Sequence, residues 1–200
     1  MPTLDPILHS LALMAPAGYF IGLHIRYASP LMQFSNYNQD WLDNYTEKAY
    51  ALRDPTIAWG FSKEGASRWA DIGIPDPFGL FAEAKKFGLT FGLTVSCGPV
   101  RSRTISSFAR SDRDFLDEEI EKITHLVRRL HDITEPPESL TTAQIEALRL
   151  IAAGDRHAAA ANKLNISESA LKARLLSARQ KLLARTTAEA IQRAKDYRLL

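Results

Sequence analysis

The side chains with chemistry to offer are few and dispersed. Cys97 is the one cysteine of the chain, so no internal disulfide forms. His9, His24, His125, His131 and His157 are scattered, and no Cys/His set has the spacing of a zinc site. No Ser/His/Asp arrangement, phosphate-cradling glycine loop or dinucleotide fingerprint occurs, so neither an enzyme nor a cofactor is expected. What stands out is a run of aromatic residues around one acid. Tyr37, Trp41, Tyr45, Asp54-Pro55 and Trp69 follow the pattern Tyr-x3-Trp-x3-Tyr-x8-Asp-Pro-x13-Trp. A lone carboxylate among rings offers recognition rather than bond-making, because it has no second base, acid or nucleophile to work with. Two plainer readings stand beside it. Trp41, Tyr45 and Leu52 fall at helical spacing and fit a core, and Asp54 before Pro55 fits a helix terminator.

A second chemistry is carried by charge. From Leu140 to Leu200 eleven Lys/Arg stand against five Asp/Glu, whereas residues 1–139 hold fourteen against eighteen. A basic tail on an acidic body points to a polyanion partner for the tail alone. Hydrophobic content of 46% with 24% charged residues is ordinary for a globular chain. No stretch of about eighteen apolar residues occurs, so no membrane span is expected. The start, Met1 to Asp5, lacks a basic n-region, so no secretory signal is expected either. A cytoplasmic location follows, which suits the single cysteine.

These residues need elements to hold them. The adjacent prolines in Ile133-Thr134-Glu135-Pro136-Pro137-Glu138-Ser139 stop any incoming helix, and the charge sign changes there. Three segments follow: a front domain over 1–132, a linker over 133–139 and a back domain over 140–200. In the front domain the spacing predicts helices over Leu4–Ala15, Asn38–Leu52, Phe78–Phe87 and Asp114–His131. Strands are predicted over Tyr19–Tyr27, Leu31–Tyr37, Phe91–Cys97 and Arg101–Ala109, the first two joined by a turn at Ala28-Ser29-Pro30. Short hairpin strands flanked by helices predict an α/β fold, an antiparallel sheet between helices in an α-β-α sandwich.

The back domain reads as all-α. Thr141 and Gln144 make a capping box before a helix that ends at Gly154. Asp155 is expected to cap a second helix, Arg156 to Leu164, and Asn165 to take the turn. Ser167 caps a third, Glu168 to Leu183, and a second capping box at Thr186 and Glu189 opens a fourth, reaching about Tyr197. Four short helices with a tight turn between the second and third have the layout of a helix-turn-helix. Ser167, Ser169, Lys172, Ala173, Arg174, Arg179 and Lys181 on or beside the third helix are the candidate DNA-binding residues. Ser169, Lys172 and Ala173 are placed to meet base edges, and Arg179 and Lys181 to meet phosphates. A plain helical module with a solvated basic face is the alternative.

The back domain resembles the DNA-binding domain of the LuxR family, on Leu140-Thr141, Leu148, Gly154, Leu164-Asn165-Ile166-Ser167, Lys181-Leu182, Ala190-Ile191 and Ala194. It departs from the family at Gln144, usually acidic, at Leu171, usually Val, and at Arg198, usually Gly. The front domain, over about residues 17–132, is similar to the acyl-homoserine-lactone-binding domain of quorum-sensing LuxR-type regulators. The resemblance rests on the aromatic and Asp-Pro pattern above, with Gly88-Leu89, Gly92-Leu93-Thr94 and Ser107-Phe108-Ala109. It implies that an N-acyl-homoserine lactone is the ligand. Trp41 would donate to the lactone carbonyl, Asp54 would accept the amide N–H, and Tyr37 and Ser107 would meet the acyl carbonyl. Tyr45 and Trp69 would wall the ring and chain. It also implies a homodimer on a pseudo-palindromic double-stranded DNA operator, with RNA polymerase as a further partner and no membrane association. A ligand-independent regulator or dimerisation antagonist with a degenerate pocket is the alternative. Arg101 and Arg103, in a turn one residue shorter than the family's, either bring charge to the pocket rim or lie on a solvated edge strand.

Overall fold

The computed structural model describes residues 4–25, 29–135, 140–182 and 184–200. They fall into two compact units, Met1–Glu135 and Pro136–Leu200. Of the expected linker, residues 136–139 lie outside the described residues, as do residues 26–28 of the first strand and turn and residue 183 at the expected end of the third back-domain helix.

The first unit is built on a five-stranded antiparallel sheet in the order β2-β1-β5-β4-β3. Its strands are β1 (Gly18–Ile25), β2 (Met32–Ser35), β3 (Gly65–Arg68), β4 (Phe91–Cys97) and β5 (Arg103–Arg110). Because successive side chains point to opposite faces, the register sorts them cleanly. Tyr19, Ile21, Leu23, Leu93, Val95 and Phe108 turn to one face. There they pack against Ile7 and Leu11 of α1 (Asp5–Met14) and Ile123, Val127 and Leu130 of α5 (Asp117–Ile133). Phe20, Ile105 and Ser107 turn to the other face, towards α2 (Gln39–Glu47), α3 (Pro55–Ser62) and α4 (Leu80–Lys86). The expected sheet between helices is what this unit shows.

The details differ where local signals mislead. Asp54-Pro55 opens a helix as well as closing one. The Asp54 carboxylate accepts the Thr56 N–H at 2.7 Å, and Pro55 fills the first helical position, where no N–H is needed. The α3 helix was not expected from sequence, being short and apolar without a polar face. Nor was β3, whose Gly-Ala-Ser-Arg has no β-branched residue. The single helix expected over residues 38–52 is broken at Ala49, which adopts a left-handed φ of 49° before a 3₁₀ turn over Tyr50–Leu52. Arg103 does not lie on a solvated edge. Strand β5 is central, and the Arg103 guanidinium is buried and paired with Glu64 at 2.8 Å. Arg101 sits in the exposed 3₁₀ turn just before it.

The second unit packs four helices, α6 (Thr142–Ala152), α7 (His157–Lys163), α8 (Glu168–Lys181) and α9 (Thr187–Asp196). Their core is Leu148, Ala160, Leu171, Leu175, Ala178 and Ala190 with their neighbours. The capping box of α6 forms as expected, and Gln144 goes further: its amide donates to Ser177 Oγ on α8 at 2.9 Å. Asn165 takes the turn between α7 and α8 with a left-handed φ of 53°. Two caps differ. Asp155 does not cap α7; its carboxylate pairs with Lys163 at the helix end, at 2.8 Å. At α9, Thr186 accepts the Glu189 N–H, but the Glu189 carboxylate reaches the Arg185 N–H at 2.7 Å instead of closing the box. No described helix is long and apolar enough to cross a membrane.

Candidate functional site

All six candidate ligand residues of the front unit, Tyr37, Trp41, Tyr45, Asp54, Trp69 and Ser107, line one cavity of about 440 Å³. It lies between the Phe20/Ile105/Ser107 face of the sheet and the helices over it. Those six residues come from five separate segments, so helical spacing of Trp41 and Tyr45 alone does not explain their meeting. Sequence reasoning did not single out Phe20, Ile25, Leu42, Ile57, Phe61 and Ile105, which supply the apolar wall. Ile105 was accessible to it, since strand alternation puts residues 105 and 107 on one face. A shallower groove of about 360 Å³ beside β3 and α5 contains none of the six.

Within the cavity polar groups are few and placed. Asp54 accepts the Tyr45 hydroxyl at 2.8 Å with one oxygen and the Thr56 N–H with the other. Burial pushes its carboxyl up, and the hydrogen bonds from Thr56 and Tyr45 oppose that rise. Burial and the nearby Asp54 charge push the Tyr45 phenol up in turn. On the sheet side Tyr37 donates to Ser107 Oγ at 3.2 Å, and burial raises the Tyr37 phenol well above its ordinary range. Asp54 is the only charged residue among the lining residues described. A negatively charged ligand would therefore meet a carboxylate and no cation, whereas a neutral one with an N–H or O–H donor would find an acceptor waiting.

The rings are fixed by their surroundings. Trp41 is buried among Tyr45, Tyr50 and Phe87, with ring centroids 5.7, 6.2 and 5.5 Å away. Trp69 lies on the backbone of β4, where a Cβ at Gly92 would come within 1.8 Å of its ring. Only glycine leaves room for that indole. Trp69 also meets Phe81 at 5.2 Å, and its buried Nε1–H has no hydrogen-bond partner among the described residues.

In the second unit Ser167 caps α8, accepting the Ala170 N–H at 3.2 Å, and its hydroxyl meets that of Ser169 at 2.9 Å. Ser169, Lys172 and Ala173 are exposed on one face, opposite the buried Leu171, Leu175 and Ala178. Arg174 and Lys181, seven positions apart, share one flank and are half-buried. Arg179 is turned to the loop after α8, where its guanidinium donates to the Arg185 carbonyl.

Comparison with known proteins bears on the first unit most directly. Residues 22–133, more than half of the chain, match the autoinducer binding domain family. The chain is 26% identical over 181 residues to the transcriptional activator protein RaiR of Rhizobium etli, covering 81% of this chain and 74% of that protein. The crystal structure of Escherichia coli SdiA is similar with a TM-score of 0.56 and 26% identity, over 100% of this chain and 92% of that one. A structure of SdiA in complex with octanoyl-rac-glycerol is similar with a TM-score of 0.55 and 25% identity, over 98% and 89% of the two chains.

Proposed function

The chain belongs to the autoinducer-binding domain family of LuxR-type regulators, and from that premise we propose that it is a quorum-sensing transcriptional regulator that takes an N-acyl-homoserine lactone into the Asp54 cavity. The observation that carries this is the cavity itself: one carboxylate that accepts the Tyr45 hydroxyl, the Tyr37–Ser107 hydroxyl pair, and a wall that is otherwise largely apolar. Such a lactone is neutral, with one amide N–H, two carbonyls and an acyl chain. Asp54 accepts the N–H, Trp41 donates to the lactone carbonyl, and Tyr37 with Ser107 meets the acyl carbonyl. Tyr45 and Trp69 enclose the ring and chain. RaiR is named a transcriptional activator and SdiA has been seen with an acyl glycerol. The first supports regulation rather than catalysis, and the second an acylated small molecule as ligand.

The second unit then reads double-stranded DNA as a helix-turn-helix. Ser169, Lys172 and Ala173 on α8 meet base edges, with Ser167, Arg174, Arg179 and Lys181 around them. Two protomers would place two copies of α8 on half-sites about one helical turn apart. The contacts proposed for the homodimer are α5 and α9, with RNA polymerase a further partner in the cytoplasm.

One observation favours a second reading. Tyr45–Asp54 and Tyr37–Ser107 already satisfy one another within the protein, so the cavity has less need of ligand than an unpaired one. A ligand-independent regulator or dimerisation antagonist follows from that. Melting of the purified chain with and without a panel of acyl-homoserine lactones separates the two. Stabilisation by a subset of chain lengths, following mass action, supports sensing; indifference to every lactone supports the second reading.

A further inference from the structure

Two histidines that the cavity does not use sit at the ends of the strands that form it. His24 is 1% exposed. It lies in the register shift of β1 between Gly22 and Ile25, with a left-handed φ of 51° that a residue with a Cβ rarely adopts. Its ring is 4.3 Å from that of His131, on the last turns of α5. His24 Nε2 is 3.0 Å from the His131 carbonyl oxygen and 3.1 Å from Thr134 Oγ1. A carbonyl only accepts, so Nε2 carries a proton, and in the neutral ring Nδ1 accepts from Ser102 Oγ at 2.9 Å. His131 Nδ1 is 2.8 Å from Thr104 Oγ1, which also accepts the His24 backbone N–H at 3.3 Å. The Thr104 hydroxyl is buried, and His131 Nδ1 is the acceptor within its reach. In the neutral pair each Nδ1 is therefore the acceptor. Behind His131 stands Gly98, where a Cβ would come within 2.4 Å of the imidazole.

The pair fastens together the bulge of β1, the turn before β5, the start of β5 and the end of α5. Thr134 is one residue short of Glu135, where the first unit ends. The same strand ends serve the cavity from their other face, because Ile25 follows His24, Ile105 follows Thr104, and both line it. The charged groups around His131 are Asp132 of α5, Glu135 just past its end, Glu64 before β3 and Arg103 of β5. The buried Cys97 of β4 feels the same Asp132, Glu64 and Arg103 charges, together with that of Arg128. The three carboxylates favour a cation, but burial outweighs them and holds the His131 imidazole below its ordinary range.

We propose that the His24–His131 pair is an acid-operated latch, which when neutral fastens the end of α5 to the strand ends beneath the cavity and when protonated lets go of the segment leading to the second unit. A proton on either Nδ1 removes the acceptor that Ser102 or Thr104 donates to, and sets a cation beside a second ring in a buried place. The latch does not depend on which ligand the cavity takes, or on whether it takes one.

The test is amide hydrogen exchange of the full chain without ligand at about pH 7.5 and about pH 4.5, the lower value chosen well under the ordinary imidazole pKa of ~6.5 because burial lowers that of His131. Rates are corrected for the intrinsic effect of pH. Residues 127–135 are expected to exchange several-fold faster at the lower pH in the wild type. The double variant His24→Gln/His131→Gln, which keeps side-chain acceptors for Ser102 and Thr104 but does not titrate, is expected to lose that response. Equal protection at both pH values in the wild type overturns the latch. So does an unchanged acid response in the His24→Gln/His131→Gln double variant, which would assign it to Glu64, Asp132 or Glu135. If the variant does not fold, imidazole ¹⁵N shifts of the wild type decide. Unprotonated Nδ1 in both rings at the higher pH, titrating in step with the opening, supports the latch; a protonated Nδ1 or titration out of step overturns it.

Discussion

Replacing Asp54 by Asn separates what the carboxylate does for the fold from what it does for a ligand. In the free protein Asn is as good an N-cap as Asp, so its carbonyl oxygen keeps the Thr56 N–H at the start of α3. Its amide then faces the Tyr45 hydroxyl, which rotates to accept instead of donate. Burial raises the Asp54 carboxyl, so the folded state holds that proton more tightly than the unfolded chain does. Wild-type stability therefore falls, relative to Asp54→Asn, as the pH rises from the unfolded value of about 3.9 through the folded pKa, and that loss is complete above it. At neutral pH the unliganded variant is expected to be at least as stable as the wild type. With ligand the order reverses. The variant presents N–H where the lactone amide presents N–H, so a charge-assisted hydrogen bond of about 1.5–3 kcal/mol is lost. That corresponds to binding weaker by roughly 10- to 150-fold. Thermal melting with and without N-octanoyl-homoserine lactone, followed by calorimetric titration, measures both arms. Equal lactone affinity in wild type and variant would refute the role of Asp54. A variant that melts far below the wild type without ligand would refute the account of the cap.

Gly92→Ala drives a methyl group into the Trp69 ring. It should lower the melting temperature by an amount equivalent to about 1–3 kcal/mol and abolish lactone stabilisation, and an unchanged melt would show that Trp69 moves freely. Arg198 holds a left-handed φ of 53° at the end of α9, so Arg198→Gly should stabilise the second unit by about 0.5–1 kcal/mol; denaturant unfolding that places the variant below wild type would contradict this. Lys172→Ala should cost about 1–3 kcal/mol at one operator position and relax its sequence preference. Lys181→Ala should weaken all DNA alike and reduce the salt slope by about one. Anisotropy titrations on an operator and a scrambled duplex at several salt concentrations distinguish the two, and identical behaviour would undo the assignment of α8 to the groove.

Much of the site was legible because its residues are rare and rigidly spaced. Tyr37, Trp41, Tyr45, Asp54 and Trp69 are large or charged, and a short chain has few such groups to confuse them with. The apolar wall was less visible, since Ile57 and Phe61 lie on α3, which advertises no polar face and begins at an Asp-Pro that reads as a stop. Long helices such as α5 were plain from their periodicity, whereas β3 is held by pairing with β4 and has no propensity of its own. Arg103 misled for a related reason. A charged residue suggests an edge, but Glu64, brought near by the fold and not by sequence, lets it sit in the central strand. The family's glycine at position 198 makes physical sense only once the left-handed end of α9 is seen.

The two outer strands of the sheet, β2 and β3, are four residues long each. An exposed strand edge is a row of unpaired amides and carbonyls on which another chain can add itself. Here that row is brief on both sides, and Arg68 at the end of β3 is drawn aside to Asp114 and Asp117. A copy of this chain therefore offers neighbouring copies little to zip onto. Crowding among copies is thus countered by geometry alone, and lengthening either strand with alternating Val and Thr would be the direct way to make this protein clump.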